Sequence, residues 1–209
     1  MFNFFRNNKN QIALISVEFP PIIKASGMGD NNRDFTICHK SLYPNKEIRV
    51  ILPYYDCDTF KQAQDTGIEF EFYYGVQKSK AEIFKIISEG ITVYCIKSDA
   101  FSYFKKPYEY KGFELLTFCS AFSNSAIIAL EELSKDKKES FKPTTLHLTD
   151  WHTSLNGKRR KTSFLKNKKI IHAIHNIGSG YQGCTMPFYG MLLFFEKAEI
   201  EFCFFVIAE

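Results

Sequence analysis

The strongest constraint on the fold is an apolar run at residues 12–17, which is followed by two consecutive prolines and a glycine-containing turn. The run is typical of a buried strand, and the prolines block its continuation because proline donates no hydrogen bond to a sheet. Gly27 and Gly29 lie in the turn, where glycine lets the backbone approach a ligand closely. Lys24 adds a positive charge suited to phosphate. The pattern therefore indicates a ligand-holding loop between the first strand and a helix.

An ordinary turn is the alternative interpretation of this stretch. The spacing of Gly27 and Gly29 matches neither a dinucleotide-binding loop nor a Walker A loop. The residues after Asp30 read Asn-Asn-Arg-Asp, which is a poor start for a helix and offers little to bury. From this stretch alone, the ligand-holding loop stays a hypothesis.

Strands and helices alternate along most of the chain, which is the pattern of an α/β fold with a parallel sheet. Strands are predicted at residues 12–17, 47–52, 68–74, 80–87, 91–96, 145–148 and 169–174, and a long helix at 113–133. Glu89 and Gly90 form a turn between two of these strands, so residues 70–96 are predicted to be an antiparallel excursion from the sheet. We expect a Rossmann-like, mostly parallel sheet flanked by helices, in one domain.

Composition narrows the classes of function. The 209 residues are 45% hydrophobic, enough for a sizeable core, and a net charge of +4 is too small to indicate a nucleic-acid partner. No stretch reaches the roughly 18 apolar residues of a membrane helix. The six cysteines are scattered without zinc-ligand spacing, so Cys95 and Cys119 are predicted to be free buried thiols. We expect a cytoplasmic protein without a metal or cofactor, and with no membrane partner.

Polar residues follow two further predicted strands. Asp150-Trp151-His152 comes after residues 145–148, and His175-Asn176 comes after residues 169–174. In open α/β sheets, ligands bind beyond the carboxyl ends of the strands, so these residues and the Lys24 loop are expected to converge. A carboxylate, an imidazole and an amide are directional donors and acceptors, suited to sugar hydroxyls.

Structural roles compete with function at each of these positions. Asp150 could cap the helix that follows it. His152 is interpreted first as a buried histidine with satisfied hydrogen bonds, and His147 and His172 as structural residues inside strands. His175 is the histidine singled out for function, because it stands where a strand ends and glycines begin.

Four motifs fall in one order along the chain. They are Ser16-Val17-Glu18 with Lys24-Ala25-Ser26-Gly27-Met28-Gly29-Asp30, then Val50-Ile51-Leu52-Pro53-Tyr54-Tyr55, then His147-Leu148-Thr149-Asp150-Trp151-His152-Thr153, and then His175-Asn176 with Tyr181-Gln182-Gly183. Together they resemble the N-terminal half of the bacterial glycogen synthase and plant starch synthase family, from about residue 12 to residue 183.

The resemblance implies a GT-B glycosyltransferase of two Rossmann-like domains with the active site in the cleft between them. Such enzymes transfer glucose from ADP-glucose or UDP-glucose to the non-reducing end of an α-1,4-glucan, with retention and without a metal. The resemblance also implies that residues 1–209 are a single, truncated N-terminal catalytic domain. A separate C-terminal nucleotide-binding domain would then have to complete the site.

The resemblance implies roles for eight residues. The catalytic residues would be His175 and Asp150; the donor and its phosphates would meet Lys24, Gly27 and Asn176; and the acceptor sugar would meet Asp30, Tyr55 (or its neighbour Tyr54) and Tyr181. Departure of a nucleoside diphosphate builds negative charge on phosphate and positive charge on the sugar, which a lysine and nearby polar groups stabilise.

Several positions depart from the family pattern. Ser26 stands where the first of two adjacent glycines is usual, Ala121 where a basic residue is expected, and residues 178–180 where one small residue is usual. Asn156 and Gly157 interrupt the helix expected after the Asp-Trp-His turn. These departures leave a second hypothesis, a non-catalytic glucan-binding or degenerate remnant that keeps only the fold.

Overall fold

A computed structural model describes residues 10–111, 113–153, 164–175 and 201–203 of the chain. Its strands are β1 (Ile12–Ile15), β2 (Ile48–Pro53), β3 (Gln64–Tyr74), β4 (Gln77–Ser88), β5 (Ile91–Lys97), β6 (Thr145–Thr149), β7 (Lys169–Ala173) and β8 (Glu201–Cys203). Its helices are α1 (Gly27–Leu42), α2 (Asp58–Lys61) and α3 (Phe113–Lys135). The strands form one sheet in the order β3-β4-β5-β2-β1-β6-β7-β8.

The central part of the sheet is parallel. β1 pairs in parallel with β2 on one side and with β6 on the other, and the parallel pairing continues to β5 and to β7 and β8. Three residues of β1 and four of β2 are buried in succession, as expected for strands covered on both faces. The predicted α/β fold with a mostly parallel sheet is confirmed.

The predicted antiparallel excursion is confirmed as well. β3 pairs with β4 and β4 pairs with β5 in antiparallel fashion. The turn between β4 and β5 has positive φ angles at Glu89 (51°) and Gly90 (71°), the geometry that lets two strands reverse within two residues.

Helix α3 supplies much of the core on one face of the sheet. Phe118 and Phe122 lie edge-on to Phe101, each with ring centroids 6.0 Å apart. By length and composition α3 could cross a membrane, but most of its apolar window is buried inside the protein, which is the character of a core helix. Cys119 of α3 and Cys95 of β5 are buried, as the sequence predicted.

Helix α1 runs for 16 residues, although the sequence after Asp30 predicts a poor start for a helix. Its buried face carries Met28, Gly29 and two polar residues: the Asn32 side-chain amide donates to Ser16 Oγ at 2.9 Å, and Thr36 Oγ1 donates to the Asn32 carbonyl of the same helix at 2.7 Å. Buried polar groups cost little when their hydrogen bonds are made. The apolar pattern after Asp30 is weak because Asn32 joins this helix to Ser16 by a hydrogen bond instead of an apolar contact.

Candidate active site

Three strand ends lie side by side at one edge of the sheet. β1, β6 and β7 are neighbours and run in parallel, so the residues after them share that edge. The Asp150 amide donates to the Ala173 carbonyl at 2.7 Å, and His172 Nε2 donates to the Asp150 carbonyl at 2.8 Å. Thr149 Oγ1 donates to the Ile15 carbonyl at 2.9 Å. Hydrogen bonds thus join the end of β6 to both of its neighbours.

The loop after β1 is folded around the carboxylate of Glu18, which is fully buried. Glu18 Oε2 accepts from the amides of Ala25 at 2.6 Å and Ser26 at 2.8 Å, and Oε1 accepts from the Ser26 hydroxyl. The Tyr108 hydroxyl also donates to Oε1, at 2.9 Å. A buried carboxylate is tolerated because these four donors replace its water.

Ser26 begins helix α1. Its backbone is extended, with φ −147°, and its Oγ accepts from the Met28 amide at 3.2 Å. Serine is a preferred residue at the start of a helix for this reason. The serine that departs from the family's glycine pair therefore has a structural role of its own.

Lys24 and Asp30 lie at the exposed side of this loop and bind each other. Lys24 Nζ is 2.7 Å from Asp30 Oδ2, and the side chains are 55% and 49% exposed. An exposed ion pair of this kind contributes little to stability. A phosphate could therefore replace Asp30 as the partner of Lys24 at a small cost in free energy.

The two glycines of the loop have different surroundings. A Cβ at Gly29 would lie 2.9 Å from Glu18 Oε2 and 3.1 Å from Pro20 Cδ, whereas a Cβ at Gly27 would meet nothing within 4 Å. Gly29 is therefore required by packing inside the protein. Gly27 leaves open space, which is where a close ligand could lie.

These surroundings predict opposite results for two alanine substitutions. Gly29→Ala should lower the free energy of unfolding by about 1–3 kcal/mol, because the methyl group overpacks the Glu18 carboxylate. Gly27→Ala should leave it unchanged or raise it by up to about 1 kcal/mol, since alanine favours the helix. Urea unfolding of both variants measures this, and equal destabilisation by the two would contradict the assigned packing.

Asp150 is buried at the end of β6, with a positive φ of 55° and 4% of its surface exposed. Its Oδ1 accepts from the Trp151 amide at 3.0 Å, so the carboxyl starts the short turn over residues 151–153. Burial raises the pKa of Asp150 to about 6; the Trp151 amide opposes the shift and the charge of Glu18 adds to it. The carboxyl therefore changes its protonation near neutral pH.

His175 follows β7 and is partly buried. Its Nε2 is a buried atom that has no hydrogen-bond partner in the described part of the chain. Burial lowers the pKa of His175, while the charge of Glu18 opposes this. The ring is therefore neutral at pH 7 and keeps one nitrogen for a ligand.

His152 is buried, but the interpretation as a histidine with satisfied hydrogen bonds is wrong. Neither ring nitrogen has a hydrogen-bond partner among the described residues. The ring stacks on Trp151, with centroids 3.4 Å apart, and lies edge-on to Tyr108 at 5.2 Å. Burial lowers its pKa well below the ordinary value, so the imidazole is neutral and packs as an aromatic ring.

The acceptor-binding role of Tyr55 is wrong. Tyr55 is fully buried and its hydroxyl donates to the Val17 carbonyl at 2.9 Å, so no surface is left for a sugar. Asn176 and Tyr181 lie outside the described residues. Where the structure is described, no three side chains of His, Cys, Asp or Glu are grouped as metal ligands.

Two residues that shape this site, Glu18 and Tyr108, had no role predicted from the sequence. Glu18 belongs to the Ser-x-Glu motif. Its position between the first strand and the glycine-containing turn is the sequence signal that could have indicated a role in the site. Tyr108 reaches the site from the segment between β5 and α3, a long-range contact that no local pattern reveals.

Comparison of the sequence with known proteins identifies a family. Residues 11–201 match the family model "Starch synthase catalytic domain". Curated relatives include the glycogen synthases of Mycoplasma mobile (31% identity over 180 residues, 83% of this chain and 35% of the relative) and Petrotoga mobilis (31% over 191 residues, 85% and 36%). The chain thus spans about a third of the length of these relatives.

The fold matches a solved structure of the same kind. The catalytic domain of Starch Synthase IV from Arabidopsis thaliana, bound to ADP and acarbose, superposes with a TM-score of 0.61 at 23% identity, covering 79% of this chain and 34% of that one. This likeness shows the fold, which corresponds to one half of the two-domain GT-B fold. Since the family model covers nearly all of the sequence, the chain belongs to the starch synthase catalytic domain family, as a glycogen/starch synthase-type glycosyltransferase domain.

Proposed function

We propose that this chain supplies the N-terminal half of a glucosyltransferase, which transfers glucose from ADP-glucose or UDP-glucose to the non-reducing end of an α-1,4-glucan with retention. One observation carries the proposal. The loop after β1, the turn after β6 and the end of β7 present a lysine, a carboxyl and a neutral imidazole at one edge of the sheet.

The chemistry of the transfer fits these groups. Lys24, half-exposed beside open space at Gly27, would stabilise the negative charge of the departing nucleoside diphosphate. His175 and Asp150 would bind the transferred glucose, whose ring gains positive charge as the bond to phosphate breaks. Asp30 would face the acceptor once a phosphate has taken Lys24 from it. Asn176 and Tyr181 keep their proposed roles at the donor and at the acceptor.

The proposal includes a second domain. Lys24 and Asp30 are half-exposed at the strand ends, and a charged donor reacts best where water is excluded. A C-terminal GT-B domain, on the same chain or separate, would close over this edge and contact the nucleotide. We propose that the assembled enzyme acts in the cytoplasm. The glycogen synthase relatives support the donor and acceptor, and the ADP and acarbose bound to the Arabidopsis domain fit them.

Transfer can be tested by joining the chain to the part of the Mycoplasma mobile glycogen synthase that lies beyond the match. Labelled ADP-glucose and UDP-glucose are offered with glycogen, and label in the polysaccharide is measured. We expect transfer by the joined protein and none by the 209-residue chain alone. Glycogen binding without transfer by the joined protein would instead favour the non-catalytic, glucan-binding alternative.

In the joined protein, Lys24→Ala should lower kcat/KM for the donor roughly 10- to 100-fold, the worth of one hydrogen bond to a charged group. Lys61→Ala is the matched control, because Lys61 also lies in an exposed ion pair, with Asp58 at 2.8 Å, but on α2. Equal effects of the two substitutions on kcat/KM would contradict the assignment of Lys24 to the donor phosphates.

A further inference from the structure

We propose that Glu18 and Tyr108 are positioning residues for this reaction, which together fix residues 24–30, the donor loop, relative to Asp150 and His175. This inference rests on the proposed function. Neither residue needs to touch a substrate, because each acts through the groups that it holds.

Glu18 determines the path of the donor loop. Its carboxylate accepts from two successive loop amides, those of Ala25 and Ser26, and from the Ser26 hydroxyl. The same hydroxyl starts α1 through the Met28 amide. One buried carboxylate therefore orients both the loop that carries Lys24 and the helix start that follows it.

Tyr108 connects the donor loop to the turn after β6. Its hydroxyl donates to Glu18 Oε1 at 2.9 Å and lies 3.4 Å from Ser26 Oγ, while its ring lies edge-on to His152, two residues after Asp150. Burial raises the pKa of Tyr108, so the hydroxyl keeps its proton and donates at physiological pH.

The backbone of Tyr108 supports this role. Its φ is +67°, in the left-handed region that a tyrosine seldom adopts. Such a conformation persists only where surrounding contacts hold it. The hydroxyl on Glu18 and the ring on His152 are contacts of that kind, so Tyr108 is held at the junction between the two site segments.

Positioning has a large effect on transfer chemistry. A misplacement of about 1 Å costs on the order of 100-fold in rate, because the reacting groups leave their aligned geometry. Glu18, Asp150 and His175 follow the adjacent strands β1, β6 and β7, and the Glu18 charge raises the pKa of Asp150 and opposes the lowering of the His175 pKa. Movement of the donor loop would therefore separate Lys24 from the two groups that face the glucose.

Amide hydrogen exchange of the 209-residue chain tests the proposal without turnover. Glu18→Gln should accelerate exchange at Ala25 and Ser26 roughly 10- to 100-fold, since each amide loses a charge-assisted acceptor. The amide of Leu14 in β1 should keep its wild-type protection. Glu89→Gln, which removes an exposed partner of Arg33, is the matched control and should change neither.

Tyr108→Phe supplies the second variant, which keeps the ring and loses only the hydroxyl. In the joined protein it should raise the KM for the donor or lower kcat about 10-fold, with the KM for glycogen unchanged. Tyr103→Phe is the control, because Tyr103 lies in the same segment but is 53% exposed. A purely structural role would affect both substrates equally.

Two results would overturn the positioning role. One is wild-type exchange at Ala25 and Ser26 in the Glu18 variant; the other is acceleration that extends equally to Leu14. If Glu18→Gln does not fold, the donor-specific effect of Tyr108→Phe decides. If the wild-type joined protein shows no transfer, the proposed function fails, and the exchange experiment still decides whether Glu18 holds the donor loop.

Discussion

Replacing His175 by alanine or Asp150 by asparagine lowers the rate of glucose transfer by the joined protein roughly 100- to 1,000-fold, the usual cost of removing one preorganised polar group from a transition state. Each residue is placed for this effect. His175 keeps a buried Nε2 without a partner in the described part of the chain, and Asp150 is a nearly buried carboxyl at the neighbouring strand end. Initial rates at saturating donor and glycogen measure the loss.

The pH dependence of the same reaction separates the two roles. Because the pKa of Asp150 is raised to about 6, a transfer that needs its carboxylate should gain rate as pH rises from 5 to 7. Asp150→Asn should remove that rise from the residual activity. His175→Ala should keep it, since the Asp150 carboxyl is still present to titrate.

Two substitutions away from the site serve as controls. His39→Ala changes a partly buried histidine of α1, and Asp58→Asn changes a 93% exposed aspartate of α2. Both variants should keep wild-type transfer within about twofold, as surface changes usually do. Wild-type rates in the His175 and Asp150 variants would refute their catalytic assignment, and a similar loss in the controls would trace the effect to folding.

The sheet could be predicted from the sequence because its strands carry strong local patterns. The runs that became β1, β2 and β6 are apolar and end in prolines or polar residues, so their positions follow from local chemistry. In open α/β sheets, ligands bind beyond the carboxyl ends of the strands, so the loops after such strands are expected to converge. That is why the site edge could be predicted before any coordinates.

The rest depended on contacts between distant segments. Tyr55 stands just after β2, where a surface role is reasonable, but its hydroxyl finds the Val17 carbonyl and the ring is drawn into the core. Tyr108 reaches Glu18 across 90 positions of the sequence. Helix α1 is stabilised by the Asn32 hydrogen bond to Ser16, which no hydrophobic pattern could indicate.

The fully buried His172 and the partly buried His147 should make the chain lose stability steeply in acid. Burial lowers the pKa of both His147 and His172 to about 4, below the 6.5 of an unfolded chain. Between these values the unfolded state binds more protons, so the free energy of unfolding rises with pH from 4 to 6.5. Each shift corresponds to about 3 kcal/mol. Urea unfolding from pH 4 to pH 8 measures the rise.

Asp150 acts in the opposite direction over part of the same window. Its pKa is raised from 3.8 to about 6, so the folded state binds more protons there, and stability is lost as pH rises through this range, by about 3 kcal/mol. His152, whose pKa is also strongly lowered, adds to the rise from the other histidines. Because several histidines oppose the single carboxyl of Asp150, the free energy of unfolding should increase overall as pH rises.

Two variants separate the contributions of His172 and Asp150 to the pH dependence of the free energy of unfolding. His172→Gln keeps an amide donor for the Asp150 carbonyl but cannot titrate, so its unfolding free energy should rise about 3 kcal/mol less than the wild type between pH 4 and 6.5. Asp150→Asn should rise about 3 kcal/mol more, because the opposing group is gone. His39→Gln removes a partly buried histidine whose pKa burial also lowers, so its unfolding free energy should rise less than that of the wild type, by a smaller amount than in His172→Gln. A flat wild-type curve, or parallel curves for the wild type and both site variants, would mean that these groups are not buried as described.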